Sequence, residues 1–455
     1  MSKPTAAMEA ELPRHADVGA PKHRGQGMSR RSPIALTLVA KAAETLTLVG
    51  LATLIPRALG PADYGVFAVV LAVVGIVSTS LSLGGPVLLS RFVPVAPPAE
   101  RGALALALAL RIARFRALMV AGTIGVVAVL AVVAPARFTT TAAVFVGVAL
   151  ALDVAATLVY QIALALGRPL LWSFRFPLQN TVLVVAAIAL HAVAGVNGAL
   201  AAVAIASGTA LAAGLPALGR QLRPIWPLSS VPPGALRFGI LQGLGGFFVQ
   251  IALRGNVPLV LLLTGDRAKA GFAALATSLA LAATFVVWQV FTVELPRLSA
   301  SARDDPAGVE AAAARLARVA TFVLVPVAVI AVLMADPLLT HVLGERFGGV
   351  QGPLVPALAT LPFAGLTALA NQVAALRVRP DIRIRTTGIG ALVFLAAAFI
   401  AVPQWGATGG TAAFLAGTVA TVLASARELP QVLSRSLLMF SVAGAVAVVA
   451  VGKLT

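Results

Sequence analysis

Thirteen apolar runs constrain this chain more than any other feature of its sequence. Each is about 17–28 residues long, enough for a helix to cross a hydrocarbon core roughly 30 Å thick. Because the runs are apolar on every face, each is predicted to be a transmembrane helix rather than a strand of a barrel. We number these spans in chain order: 34–55, 64–90, 117–134, 139–166, 174–194, 197–219, 238–264, 268–293, 319–335, 353–376, 386–402, 408–426 and 436–452.

The basic residues indicate how the spans are oriented. The sequence has 34 Lys and Arg against 16 Asp and Glu, a formal net charge of +18. With a cytosolic N-terminus, 26 of the 34 fall in cytosolic segments or at the cytosolic ends of spans, 6 fall in outer loops, and 2 lie inside spans. This alternation follows the positive-inside rule. The charge is therefore a topology signal, and we expect no nucleic-acid partner.

Several classes of chemistry are excluded. With no cysteine in the chain, disulfides and thiolate sites cannot form. The four histidines are too dispersed for a cluster, no Walker A sequence occurs, and every loop is short. We therefore expect no metal, no cofactor and no enzymatic activity. Residues 1–32 are polar and broken by prolines, so they are predicted to be a disordered basic cytosolic tail and not a signal peptide.

An internal repeat is visible in the spacing of glycine, arginine and proline. Gly65 and Arg91 are 26 residues apart, as are Gly271 and Arg297, and each pair brackets one span. The Arg168-Pro169 pair, Gly195 and Gly198 recur 211 residues later as Arg379-Pro380, Gly406 and Gly409.

Six spans per repeat place the two halves in the same orientation. The prediction is an all-α polytopic membrane protein with 12–13 transmembrane helices in two six-helix lobes, related by a pseudo-two-fold axis along the membrane normal. The predicted units are an N-lobe at 33–225 (spans 1–6), a C-lobe at 226–430 (spans 7–12) and an additional C-terminal span within 431–455.

Sequence motifs add a family resemblance. The segment RALGPADYGVFAVVLAVVGIVSTSLSLGGPVLLSRFV (57–93) resembles the start of the Wzx-type polysaccharide flippases of the multidrug/oligosaccharidyl-lipid/polysaccharide (MOP) exporter superfamily. The segments ELPRLSA (294–300), LLTHVLGERFGG (338–349), LRVRPDIRIR (376–385) and VPQWGATGGTAA (402–413) are similar to its later half.

The resemblance implies a MATE-like architecture in the bacterial cytoplasmic membrane. It also implies ion-coupled, alternating-access flipping of a polyprenyl-(pyro)phosphate-linked saccharide for polysaccharide biosynthesis. Its partners would be the lipid-linked saccharide, the bilayer, a polysaccharide polymerase and glycosyltransferases.

Four charged residues lie well inside spans, where an uncompensated charge costs about 2.5–3.5 kcal/mol on insertion scales. Arg254 is predicted either to contact a substrate phosphate or to form a structural ion pair with Asp153 or Glu44. Asp153, near the middle of span 4, is a candidate ion-coupling carboxyl, the alternative being a counter-ion. Lys41 and Glu44 share one helical face and can pair locally; Lys41 is a cavity candidate and Glu44 a second coupling candidate.

Neutral polar residues extend the predicted central cavity, since amides both donate and accept hydrogen bonds to a saccharide. The amide candidates are Gln250, Asn256, Asn371 and Gln372. Repeat-related arginines are predicted to surround the cytosolic mouth, although the positive-inside rule alone also explains them: Arg91, Arg168, Arg297 and Arg379. A hinge in span 7 is predicted from residues that permit bending or close packing: Gly243, Gly245, Gly246 and Pro258.

Three other functions fit the same spans. One is a MATE-like exporter of small amphiphilic or cationic compounds, for which the cavity should be net negative rather than net positive. Another is an integral-membrane glycosyltransferase or polymerase, which would need a large outer catalytic loop; the longest here is about 336–352. The third is a scaffold that does not transport. The four charges inside spans balance, so the sequence leaves the cavity charge undecided.

Overall fold

The computed structural model describes residues 31–454, except 82–84, 94–95, 98, 134–139, 223–230, 232–234, 302–305, 378 and 431–432. The predicted tail at 1–32 therefore lies almost wholly outside the described residues. The described residues form helices with these bounds: Arg31–Leu81, Gly85–Phe92, Arg101–Val133, Thr140–Ala165, Pro169–Leu222, Ala235–Arg254, Asn256–Thr264, Arg267–Ser301, Pro306–Leu333, Ala335–Leu343, Gln351–Leu358, Ala364–Leu376, Pro380–Glu428 and Arg435–Gly452, with 3₁₀ turns at Glu345–Val350 and Leu361–Phe363.

Ten of the described helical segments are long and apolar enough to cross a membrane. Three of these contain a non-helical break, at Gly60, Gly195 and Gly406. The breaks coincide with the predicted turns between spans 1 and 2, 5 and 6, and 11 and 12. Dividing the three segments there gives thirteen, which confirms the polytopic all-helical prediction.

The structure also shows why the repeat is spaced as it is. Gly195 and Gly406 both adopt a left-handed backbone, with φ of 58° and 55°, which glycine reaches without steric cost. Three residues later, a methyl group on Gly198 would collide with the carbonyl of Leu190, and one on Gly409 with the carbonyl of Ala401. The same sharp turn is thus built twice, each time by two glycines at the same spacing.

A second repeat-related pair brings the two halves together. A methyl group on Gly65 in span 2 would lie 2.9 Å from the backbone nitrogen of Gly271 in span 8, and would also collide with the carbonyl group of Arg267. Conversely, a methyl group on Gly271 would collide with the carbonyl of Pro61. The two spans touch backbone to backbone because neither position has a side chain. In the predicted orientation, this contact closes the outer end between the halves.

The halves also meet at the opposite, cytosolic end. Leu88 of span 2 and Ala235 of span 7 belong to one buried apolar cluster, against which Leu236 packs. In this conformation the two halves are therefore in contact at both ends of spans 2 and 7.

Residues 82–84 of span 2 lie outside the described residues, and the chain is helical up to Leu81 and again from Gly85. Span 10 is interrupted by the 3₁₀ turn that contains Pro362. Span 13 packs on this interrupted region, with Gly444 in contact with Val325 and Pro362.

The Gly65–Gly271 contact generates a test. Because the chain lacks cysteine, an Arg254→Cys background carries one thiol between the halves. Adding Gly65→Val should force the outer ends apart, so a membrane-impermeant maleimide applied outside should label the thiol at least tenfold faster. Gly122→Val is the matched control because nothing lies within 4 Å of a methyl group there. Equal labelling rates in the two variants would show that this contact does not close the outer end.

Candidate functional site

Arg254 lies where the two halves face each other. It is the last residue of the helix Ala235–Arg254, and Gly255 separates it from the helix that begins at Asn256. A methyl group on Gly75 of span 2 would lie 2.6 Å from Arg254 Nη1, so the guanidinium of span 7 rests against the backbone of span 2. Among the described residues, none accepts a hydrogen bond from Arg254. Arg254 is thus a cation at the contact between the halves, and its N–H donors are not engaged by the described residues.

The helix of span 7 is interrupted at one residue. Gly243, Gly245 and Gly246 are all helical within Ala235–Arg254, and the interruption is at Gly255. Pro258 explains this position, because its nitrogen cannot donate to the carbonyl of Arg254. The hinge at Gly243, Gly245, Gly246 and Pro258 stays a prediction, and the interruption adjoins Arg254.

Asp153 accepts three hydrogen bonds inside the first half. Its carboxylate accepts from Ser78 of span 2, from Arg175 Nη2 at 3.0 Å and from Gln179 Nε2 at 2.9 Å, both on span 5. It also acts electrostatically on Arg254 across the contact between the halves. The predicted direct ion pair of Arg254 with Asp153 does not form, because Asp153 is already engaged by Arg175.

Arg175, the ion-pair partner of Asp153, is one of the 26 basic residues assigned to the cytosolic side. Its side chain is only 3% exposed, donates to Thr157 at 2.8 Å as well as to Asp153, and lies 4.9 Å from the ring centroid of Phe176. A buried cation needs this many partners because its desolvation is costly. The single cue in the sequence was its position just inside predicted span 5.

Arg116 and Arg383, also among the basic residues assigned to the cytosolic side, donate hydrogen bonds to other spans. Arg116, 2% exposed, donates from Nε to the carbonyl of Leu81 at 2.6 Å and from Nη2 to Gln161 at 2.9 Å. It thereby links the helix of span 3 to spans 2 and 4. Arg383 of span 11 donates to Gln242 of span 7 at 3.1 Å, and its Nε is buried without a hydrogen-bond partner among the described residues.

The described charges inside the spans remain balanced. Arg116 and Arg175 are buried, and Arg254 and Arg383 are half-buried. Within the predicted spans, Arg175 and Arg254 stand against Asp153 and the half-buried Glu44. Arg116 and Arg383 lie just outside predicted spans 3 and 11.

The predicted amides have different environments. Gln250 is half-buried, and its Oε1 has no hydrogen-bond partner among the described residues. Asn256 is fully buried and donates to Thr277 at 2.6 Å, so in this conformation it joins spans 7 and 8 rather than lining an opening. Asn371 lines a cavity within the second half. The side chains of Lys41 and Gln372 lie outside the described part of the structure.

The predicted cytosolic-mouth arginines are described in part. Arg168 and Arg379 are both exposed, each immediately before the proline that begins a long helix. Arg379 donates to Asp381 at 2.7 Å, a hydrogen bond that raises the pKa of the guanidinium above its ordinary value. The side chains of Arg91 and Arg297 fall outside the described residues, so the ring of four remains a prediction.

Comparison with solved structures shows the fold. The chain is similar to the lipid II flippase MurJ in an inward closed conformation, with a TM-score of 0.65, 10% sequence identity, and 92% of this chain and 96% of that chain covered. It is also similar to an inward-facing multidrug resistance MATE family transporter of the MOP superfamily, with a TM-score of 0.53, 14% identity, and 94% and 97% covered. A third similar structure is the eukaryotic MATE transporter AtDTX14, with a TM-score of 0.51, 14% identity, and 92% of this chain and 98% of that chain covered.

Sequence comparison gives one further match. Residues 174–351 match the model of a family described as polysaccharide biosynthesis protein. No curated protein is significantly similar in sequence. The chain therefore has the two-lobed helical membrane fold of these solved transporters, which agrees with the resemblance of its motifs.

The Asp153–Arg175 pair generates a stability prediction. Asp153→Asn removes the carboxylate but leaves Arg175 buried, which should cost about 3–5 kcal/mol and lower the Tm in detergent. The double variant Asp153→Asn/Arg175→Met, which removes both charges, should recover most of the loss. A double variant no more stable than Asp153→Asn would contradict the pairing.

Proposed function

We propose that this chain flips a polyprenyl-(pyro)phosphate-linked saccharide from the inner to the outer leaflet of the bacterial cytoplasmic membrane by alternating access. Three observations support the proposal. The fold is that of MOP exporters, one of the similar structures is a lipid II flippase, and residues 174–351 match a polysaccharide biosynthesis family. The N-terminus would be cytosolic, as the distribution of basic residues predicts.

The position of Arg254 is the observation that carries the proposal. Phosphate oxygens need charge-assisted hydrogen bonds once they leave water, so the route of a lipid-linked pyrophosphate should present cationic donors. Arg254 is the best placed of the four arginines, since it is at the contact between the halves and spends no hydrogen bond on the described residues.

The same geometry suggests how binding would drive the lobes. In the closed conformation Arg254 of the second half lies against Gly75 and within the field of Asp153 of the first. A phosphate that binds Arg254 would displace this contact between the halves. The interruption at Gly255 would let the inner segment of span 7 move while its outer segment stays packed on span 8. The outer glycine contact would then open to release the headgroup.

The structure weighs against the other functions. A MATE-like exporter of cationic compounds should have a net negative route, whereas the charges described inside the spans balance. A glycosyltransferase or polymerase needs a large outer domain, whereas residues 335–350 form only the short helix Ala335–Leu343 and one 3₁₀ turn. A scaffold that does not transport has no use for Arg254 between the halves.

Ion coupling would depend on an acidic residue inside the spans. Asp153 accepts hydrogen bonds from Arg175, Gln179 and Ser78, which favours a structural counter-ion role for this residue. We therefore assign Asp153 the counter-ion role and leave Glu44 as the coupling candidate. A polysaccharide polymerase and glycosyltransferases would supply and consume the cargo.

Arg254→Ala should abolish surface polysaccharide in a strain that depends on this chain, while the protein still inserts at its normal level. Arg254→Lys should retain part of the activity, because it keeps the charge but loses the planar donor geometry. The measurements are polymer on intact cells and protein in the membrane fraction.

The matched control is Arg427→Ala, which removes an exposed cation from the cytosolic end of span 12. It should leave polymer at the level of the unmodified chain. Normal polymer in Arg254→Ala, or equal losses in the two alanine variants, would remove Arg254 from the substrate route.

A further inference from the structure

A cavity lies within the second half, away from the contact between the halves, and all of its described lining residues belong to that half. Spans 7, 8, 10, 11 and 12 contribute its wall. Six threonines line it: Thr284, Thr360, Thr367, Thr387, Thr418 and Thr421.

The hydroxyl hydrogens of the six threonines are already engaged in hydrogen bonds. Each donates to a backbone carbonyl three or four residues earlier in its own helix, at 2.6–3.1 Å. A hydroxyl has one hydrogen but two lone pairs, so each oxygen is still able to accept a hydrogen bond. The cavity therefore has hydrogen-bond acceptors from four spans, and Asn371 adds an amide that can donate as well.

The remaining wall is aromatic and uncharged. Phe248, Trp288 and Phe414 face the cavity, and none of its described lining residues carries a formal charge. Without a carboxylate, a buried cation would lack compensation, and without an arginine or lysine the same holds for an anion. The matching ligand is a neutral group that has several O–H donors and apolar faces that can stack on aromatic rings.

We propose that this cavity binds a neutral sugar residue through its hydroxyl groups. This inference rests on the proposed function, because it divides the substrate between two places. Leu253 lines the cavity and its neighbour Arg254 faces the other half. A phosphate at Arg254 would therefore lie on the side of span 7 that faces the first half, and a sugar in the cavity would lie on its other side. The charged and the neutral parts of the substrate would thus contact different faces of span 7.

The experiment uses the full chain in nanodiscs with Trp288 as the reporter, after Trp172, Trp226 and Trp405 are replaced by phenylalanine. Methyl glycosides of glucose, galactose, mannose and N-acetylglucosamine are titrated singly. At least one should change Trp288 fluorescence saturably, and glucuronate, which carries a charge, should bind at least tenfold more weakly. Thr284→Val/Thr418→Val should weaken the bound glycoside about tenfold, the effect of two lost neutral hydrogen bonds.

Thr321→Val is the matched control, because Thr321 is buried and bonded to its own helix in the same way but does not line the cavity. It should leave glycoside binding unchanged, as should Arg254→Ala. Failure of all four glycosides, or a saturable response to sodium or tetraphenylphosphonium instead, would overturn the sugar assignment. Either result is separable from the proposed function, which fails only if polymer persists in Arg254→Ala.

Discussion

The cost of an unpartnered polar group in a bilayer determines most of this structure. With no water in the hydrocarbon core, every backbone group must be satisfied within its own segment, which imposes helices throughout the described spans. The same cost governs side chains. Arg175 is buried against Asp153 and Thr157, and Arg116 donates to the carbonyl of Leu81 and to Gln161. Against this background, polar groups that still lack partners indicate function. Arg254, between the halves, is the clearest of them.

Glycine gives the fold its mobile contacts. In a membrane the lipid is as apolar as the helices, so close approach of backbones replaces the hydrophobic effect as a source of association. Gly65 and Gly271 allow such an approach at one end, while larger apolar residues around Leu88 pack the other. A contact made of backbone alone has no interlocking side chains to separate. In the proposed alternating access, the Gly65–Gly271 contact would open and close without separating interlocked side chains. The apolar cluster around Leu88 would have to separate such side chains.

The charges divide the proposed substrate between environments of different kinds. Positive groups gather along the inner parts of the spans and at Arg254, where a phosphate would travel, and the threonine-lined cavity of the second half is neutral. This separation follows from chemistry, since a phosphate needs cationic donors and a sugar hydroxyl needs neutral acceptors. One route can then carry a molecule whose two ends have opposite requirements.

The sequence by itself determined the number of spans, their helical nature, their predicted orientation and the repeat, because each depends on local hydropathy, charge or spacing. Gly195 and Gly406 show this, since a left-handed turn is local chemistry. The sequence did not reveal which arginines are buried. Arg116, Arg175 and Arg383 resemble ordinary cytosolic cations, and only the packing of spans 2, 4 and 7 against them decides otherwise. The threonine-lined cavity was likewise decided by tertiary structure, because its walls come from segments far apart in the chain.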